Sequence, residues 1–190
     1  MNSKNAIGII ELASVYKGYE VQDAVLKSAN VEKLVGRTIC SGKFFIVVRG
    51  DVADVEAAID VAREVGGFSV VNLASIPNID KQVFPALAGT CSIKQGNYEG
   101  NIGAVLIIET FSVVSAIKAA DYAAKTAELD ILCVHVAMAV GGKGFVVITG
   151  DIGSLEAAAE NAIENIKEDG MLAGYTIIKN PHKEVLKDLI

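Results

Sequence analysis

The sequence predicts an α+β protein made of two tandem ferredoxin-like domains, each a split β-α-β unit. Three observations predict it. The chain repeats itself: AIGIIELASV (Ala6 to Val15) falls on AVLIIETFSV (Ala104 to Val113) and DAVLKSA (Asp23 to Ala29) on DYAAKTA (Asp121 to Ala127), an offset of 98. After two extra residues in the second copy, GKFFIVVRGDVADVEAA (Gly42 to Ala58) falls on GKGFVVITGDIGSLEAA (Gly142 to Ala158). A repeat of this kind decides the domain organisation before any local reading does. Each copy then reads strand, helix, strand, strand, helix, strand, which is the ferredoxin-like order. Finally, 190 residues are enough for two small domains with a core each.

The elements follow in order. AIGIIEL is a short run rich in β-branched residues and predicts a strand. KGYEVQDAVLKSA sets Val21, Ala24, Val25 and Ala29 at helical spacing and predicts a helix with one apolar face. EKLVGRTIC and KFFIVVRG flank the turn TICSGK (Thr38 to Lys43) and predict a hairpin. Asp51 is placed to cap the next helix, DVADVEAAIDVAREVGG, which stops at a glycine pair. FSVVNLASI predicts a fourth strand before Pro77. The expected result is a four-stranded antiparallel sheet with two helices on one face. The domains are read as 1–90 and 101–190, with a linker at 91–100, because turn and polar residues cluster from Ala88 to Asn97.

Composition excludes several roles. The net charge is -6 and no basic stripe is present, which argues against a nucleic-acid partner. Hydrophobic residues make up 52% of the chain, yet no apolar stretch reaches the roughly 20 residues that cross a bilayer, so no membrane partner is expected. MNSKNAIGIIELAS lacks a long apolar core and reads as a first strand rather than an export signal. Small apolar residues abound while aromatics are few, a balance suited to surfaces covered by neighbouring subunits. No G-x-S-x-G elbow, P-loop, HExxH or acid pair with a base is present, so the chain is not expected to be an enzyme.

The three cysteines, Cys40, Cys91 and Cys133, are odd in number and form no CxxC, so one chain alone cannot supply a thiolate cluster site. Cys40, at the hairpin turn, has two readings: a small buried hydrophobe at a strand end, or a ligand whose site is completed outside the monomer. Cys91 falls in the linker, and Cys133 lies in LDILCVHV, where alternation makes it core. His135 reads as a half-buried strand residue and His182 as part of an exposed structural turn. Lys27 and Lys125 each follow an aspartate by four residues, an i,i+4 pair on a solvated helix face.

The strand AIGIIEL, the helix DAVLKSANVE, the hairpin ending in Gly-Lys and the junction RGDVADVEAA together resemble the bacterial microcompartment shell domain, the BMC domain. The second copy carries the same marks through to IIKNPHKEV. Given ELASVYKGYEVQDAVLKSANV and a Cys-x-Gly-Lys turn in the first copy only, the chain is most similar to the iron-sulfur tandem-domain branch found in propanediol-utilisation compartments. Where that family often carries an Arg, this chain reads Lys179-Asn180-Pro181-His182, which leaves its edge contacts open.

The resemblance implies a pseudohexameric homotrimer that tiles with other microcompartment shell proteins into a shell lying in the cytoplasm. It places Ser41, Gly42, Val140, Gly141 and Gly142 on the pore lining, and Lys27 and Lys125 at the tile edge. Threefold symmetry would turn one Cys40 thiolate into three, holding one 4Fe-4S cluster per trimer with the fourth iron site open. Gly42 would allow close backbone approach, and Lys43 would soften the cluster's negative charge. The implied role is electron transfer across the shell, with an enclosed redox enzyme as a partner. The alternative is a passive tile whose central pore conducts small metabolites.

Overall fold

β1 (Ala6–Leu12) is apolar at nearly every position, and the computed structural model, which describes residues 6–87, 102–136 and 140–189, buries it along its whole length. A strand covered on both faces shows a continuous apolar run rather than alternation. It is followed by α1 (Val15–Ser28), β2 (Glu32–Ile39), β3 (Lys43–Gly50), α2 (Val52–Gly66) and β4 (Val70–Ile76). The sheet order is β2-β3-β1-β4 with every neighbouring pair antiparallel, the split β-α-β topology the sequence predicts. After α3 (Val83–Leu87), the second copy repeats the plan: β5 (Ala104–Thr110), α4 (Val113–Thr126), β6 (Asp130–Val136), β7 (Gly144–Thr149), α5 (Ile152–Lys167) and β8 (Leu172–Lys179), then α6 (Lys183–Leu189). Its sheet order is β6-β7-β5-β8.

The chain divides into two compact units, Met1–Ile79 with Ala137–Gly142, and Asp80–Val136 with Lys143–Ile190. The expected linker at 91–100 and Cys91 lie outside the described residues. Among the described residues no helix is long and apolar enough to cross a membrane.

The core of the first unit joins Ile10, Leu12, Phe44, Ile46 and Val48 of the sheet to Val21 and Val25 of α1 and Ala58, Ile59 and Ala62 of α2. Each large aliphatic side chain buried there is worth about 1.5–3 kcal/mol. Gly18 lets α1 settle on Phe44, since a Cβ at Gly18 would stand 2.2 Å from the ring. Asp51 occupies the N-cap position of α2 as expected, but its side chain makes no capping hydrogen bond. Its counterpart Asp151 does, accepting from the Ser154 amide at 3.0 Å. The third helical residue also differs, Ser154 in the second copy and the like-charged Asp54 in the first.

Two short helices have no counterpart in the elements predicted from sequence. α6 lays Leu186 and Leu189 on the cluster of Val105, Leu132 and Val147. α3 packs on β6 within the second unit. Just before α3, Gln82 completes the edge of that strand: its Nε2 donates to the Leu129 carbonyl and its Oε1 accepts from the Ile131 amide, both at 3.1 Å. The side chain thereby satisfies backbone groups that an edge strand would otherwise present unpaired.

Candidate functional site

β2 and β3 pair down to Ile39 opposite Lys43, so the chain must reverse over Cys40, Ser41 and Gly42. These three residues form a single 3-10 turn, anchored by buried Ile39 on its near side. Ser41 and Gly42 both adopt left-handed backbone conformations, with φ 66° and 69°. Glycine accepts that region without strain, whereas serine does so only when its surroundings hold it there. Cys40 is half-buried, Ser41 and Gly42 are exposed, and a Cβ on Gly42 would meet nothing within 4 Å. Cys40 therefore sits at the base of a turn that is open on its Gly42 side.

Beneath the turn lies an ion pair that sequence reasoning missed. Glu11, fully buried on β1, accepts a hydrogen bond from Lys43 Nζ at 2.8 Å, and the lysine side chain is itself 18% exposed. Lys43 Nζ also donates to the carbonyl of Gly142 at 3.3 Å, a residue of the same compact unit. The expectation that Lys43 offers its charge to a cluster is therefore revised, because its ammonium is turned onto a buried carboxylate. A signal for Glu11 existed: an acid recurs at the same place in both first strands, as Glu11 in AIGIIEL and Glu109 in AVLIIET.

The second hairpin turn differs. Val140 is half-buried, Gly141 is exposed at φ 62°, and Gly142 is buried at φ 83°. Its lysine, Lys143, pairs with Glu109 at 3.1 Å, but these side chains are 38% and 43% exposed, and the ammonium also lies 5.4 Å from the centre of the Phe111 ring.

The remaining sequence candidates fall in separate places. Lys27 forms an exposed pair with Asp23 at 2.6 Å, as a solvated helix face suggests. Lys125 pairs with Asp121 at 2.7 Å, yet this aspartate is buried and also accepts from the Asp80 amide at 2.8 Å, tying the approach to α3 onto α4. Cys133 is half-buried against the core of the second sheet. His135 stacks on Phe145, with ring centroids 4.6 Å apart. His182 is exposed and caps α6, its Nδ1 accepting from the Glu184 amide at 3.3 Å. A shallow groove of about 550 Å³ between α5 and β8 is lined by Glu160, Ile163, Tyr175 and Ile177, none of them a sequence candidate.

Among the described residues of one chain, no three His, Cys, Asp or Glu side chains are grouped to hold a metal ion. A cluster on Cys40 would need thiolates from other copies of the chain.

Residues 6–79 and 104–181 each match the BMC domain family. The chain is 40% identical over 185 residues to the bacterial microcompartment shell protein PduT of Citrobacter freundii, covering 97% of both chains. It is 37% identical over 81 residues to the shell protein PduA of the same organism, a match covering 40% of this chain and 87% of that one. A crystal structure of a microcompartment protein from Desulfitobacterium hafniense DCB superposes with a TM-score of 0.80 at 35% identity, covering 96% of this chain and 98% of the other.

Proposed function

Because the chain belongs to the BMC-domain family of bacterial microcompartment shell proteins, we propose that it is a trimeric shell tile whose three Cys40 thiolates hold one 4Fe-4S cluster at the threefold axis. The observation that carries this reading is the turn itself: a half-buried cysteine on a hairpin with open space beside its Gly42, in the first copy only. A 4Fe-4S cluster ordinarily takes four thiolates, so three leave one iron for water or an external ligand. Such a cluster supplies one-electron transfer between an enclosed redox enzyme and the cytoplasmic side of the shell. Cys40 would ligate, and Gly42 would keep side-chain bulk away from the axis. In the assembled shell Lys27 and Lys125 lie at the tile edge against neighbouring shell proteins, the first through a side chain that is 74% exposed.

A second reading is favoured by a separate observation. Ser41, Gly42, Gly141 and Gly142 all have positive φ, and successive amides in such turns form anion-binding concavities. They would line a passive pore for small polar or anionic metabolites, together with Val140.

Anaerobic reconstitution of the purified protein separates the two. The cluster reading expects iron and sulfide at one cluster per trimer, broad visible absorbance, and a reduced-state paramagnetic signal that Cys40→Ser abolishes while Cys91→Ser and Cys133→Ser keep it. A colourless, iron-free wild-type trimer selects the pore. On electron-microscopy grids Lys27→Asp should leave trimers but disperse sheets; unchanged sheets refute the tile-edge assignment.

A further inference from the structure

Ser41 is held in a left-handed conformation at φ 66°, which its own side chain does not favour, so something outside the turn must fix it. The contacts that do so form a closed path. Glu11, fully buried, holds the Lys43 ammonium at 2.8 Å, and Lys43 holds the Gly142 carbonyl at 3.3 Å. Gly142 in turn lies against the Cys40 turn, where a Cβ would stand 3.1 Å from Ser41 Oγ and 3.4 Å from the Cys40 carbonyl oxygen. In the second copy the matching pair, Glu109 and Lys143, is solvent-exposed, and the turn beside it carries glycines at its left-handed positions. The buried pair thus occurs where the turn contains both a strained serine and the thiol.

We infer that Glu11 and Lys43 are positioning residues that clamp the Cys40 turn through Gly142, presenting the thiol in one orientation. A buried ion pair suits a clamp because its two charges, once desolvated, are costly to separate. The inference rests on Cys40 being a ligand for its purpose, but not for its mechanics.

The test is the double variant Glu11→Gln/Lys43→Met, which removes both charges and so leaves no unpaired buried ion. Its control is Glu109→Gln/Lys143→Met. Amide exchange of residues 40–42, read by mass spectrometry, should be about tenfold faster in the double variant and unchanged in the control. In reconstituted trimers, iron release to bathophenanthroline should accelerate and the paramagnetic signal should broaden, which a general loss of stability without loss of orientation would not produce. Gly142→Ala reaches the same clamp from its other end without touching the charges and should speed exchange likewise. Wild-type exchange over 40–42 in both variants overturns the clamp. If wild-type protein binds no iron while exchange still rises in the variants, the clamp stands and the cluster reading fails; if iron is retained while exchange is unchanged, the cluster reading stands and the clamp fails.

Discussion

The two copies solve one contact in opposite ways. In the first, helix α1 carries Gly18 and the strand below carries Phe44; in the second, α4 carries Ala116 and the strand carries Gly144. A Cβ on Gly18 would stand 2.2 Å from the Phe44 ring, and one on Gly144 would stand 2.9 Å from Ala116 Cβ. One partner must be glycine in each copy, but the repeat does not fix which. Duplication thus preserves the helix-to-sheet approach while its filling drifts. In the first copy a ring spaces the layers and also meets Tyr19 at 4.8 Å between centroids. In the second the backbone itself comes close, with Val113 Cα 3.2 Å from the same built Cβ.

That contrast can be broken by substitution, with the largest expected effect at this contact. Gly18→Ala should cost about 1–3 kcal/mol, the usual penalty for overpacking a core. Adding Phe44→Leu should recover part of the loss, because the obstacle is a side chain. Gly144→Ala should cost less, since its nearest obstacle, Ala116 Cβ, stands farther off, and Ala116→Gly should recover most but not all of that loss, because Val113 Cα remains at 3.2 Å. Urea midpoints of the two double-mutant cycles measure this. Full recovery by Ala116→Gly would contradict the additional backbone obstacle at Val113 in the second copy.

A second pair sharpens the comparison at smaller magnitude. Asp23 and Lys27 are exposed and bridge to each other, whereas Asp121 has a side chain 5% exposed and accepts from both Lys125 and the Asp80 amide. Removing Asp121 takes the acceptor from the part-buried Asp80 amide, so Asp121→Ala should cost about 1 kcal/mol. Asp23→Ala should stay within about 0.5 kcal/mol, as exposed ion pairs do. Chemical denaturation supplies the numbers, and faster amide exchange at α3 in Asp121→Ala alone would locate the damage. Comparable losses in the two variants would mean that burial does not distinguish these pairs.

The sequence made the topology legible because it is carried by local signals: apolar runs, the Gly-Lys turn, and the Gly-Asp and Glu-Ala-Ala spacing that recurs in both copies. The helices α3 and α6, of 5 and 7 residues, were not legible, because so short a segment cannot show a helical period. The position of Cys40 at a turn was also readable. Its clamp was not, since Glu11 meets Lys43 across 32 residues of chain and burial decides its importance. The same holds for Asp121, whose contact with Asp80 spans 41 residues and turns an ordinary helical i,i+4 pair into an anchor. Symmetry partners lie further still from what one chain's pattern encodes, and so the cluster and pore rest on proposal and experiment.

The smallest expected effect tests the paired helix caps. Asp151 accepts from both the hydroxyl and the amide of Ser154, and the side-chain bond first, then the backbone bond, holds its carboxyl below the ordinary carboxylate range. A carboxyl whose folded value is depressed contributes stability that is fully present above its unfolded value, about 3.9, and lost as pH falls through the folded value. Thermal midpoints followed from about pH 6 to about pH 2 should therefore fall less steeply in Asp151→Asn than in wild type over the acid end. Asp51 lacks the bond, and Asp54 stands where the second copy has Ser154. Asp54→Ser should install it, adding an acid-dependent contribution to the first copy. If Asp54→Ser leaves the acid limb unchanged, the side chain at the third helical position is not what separates the two caps, and the cause must lie in the backbone approach to α2.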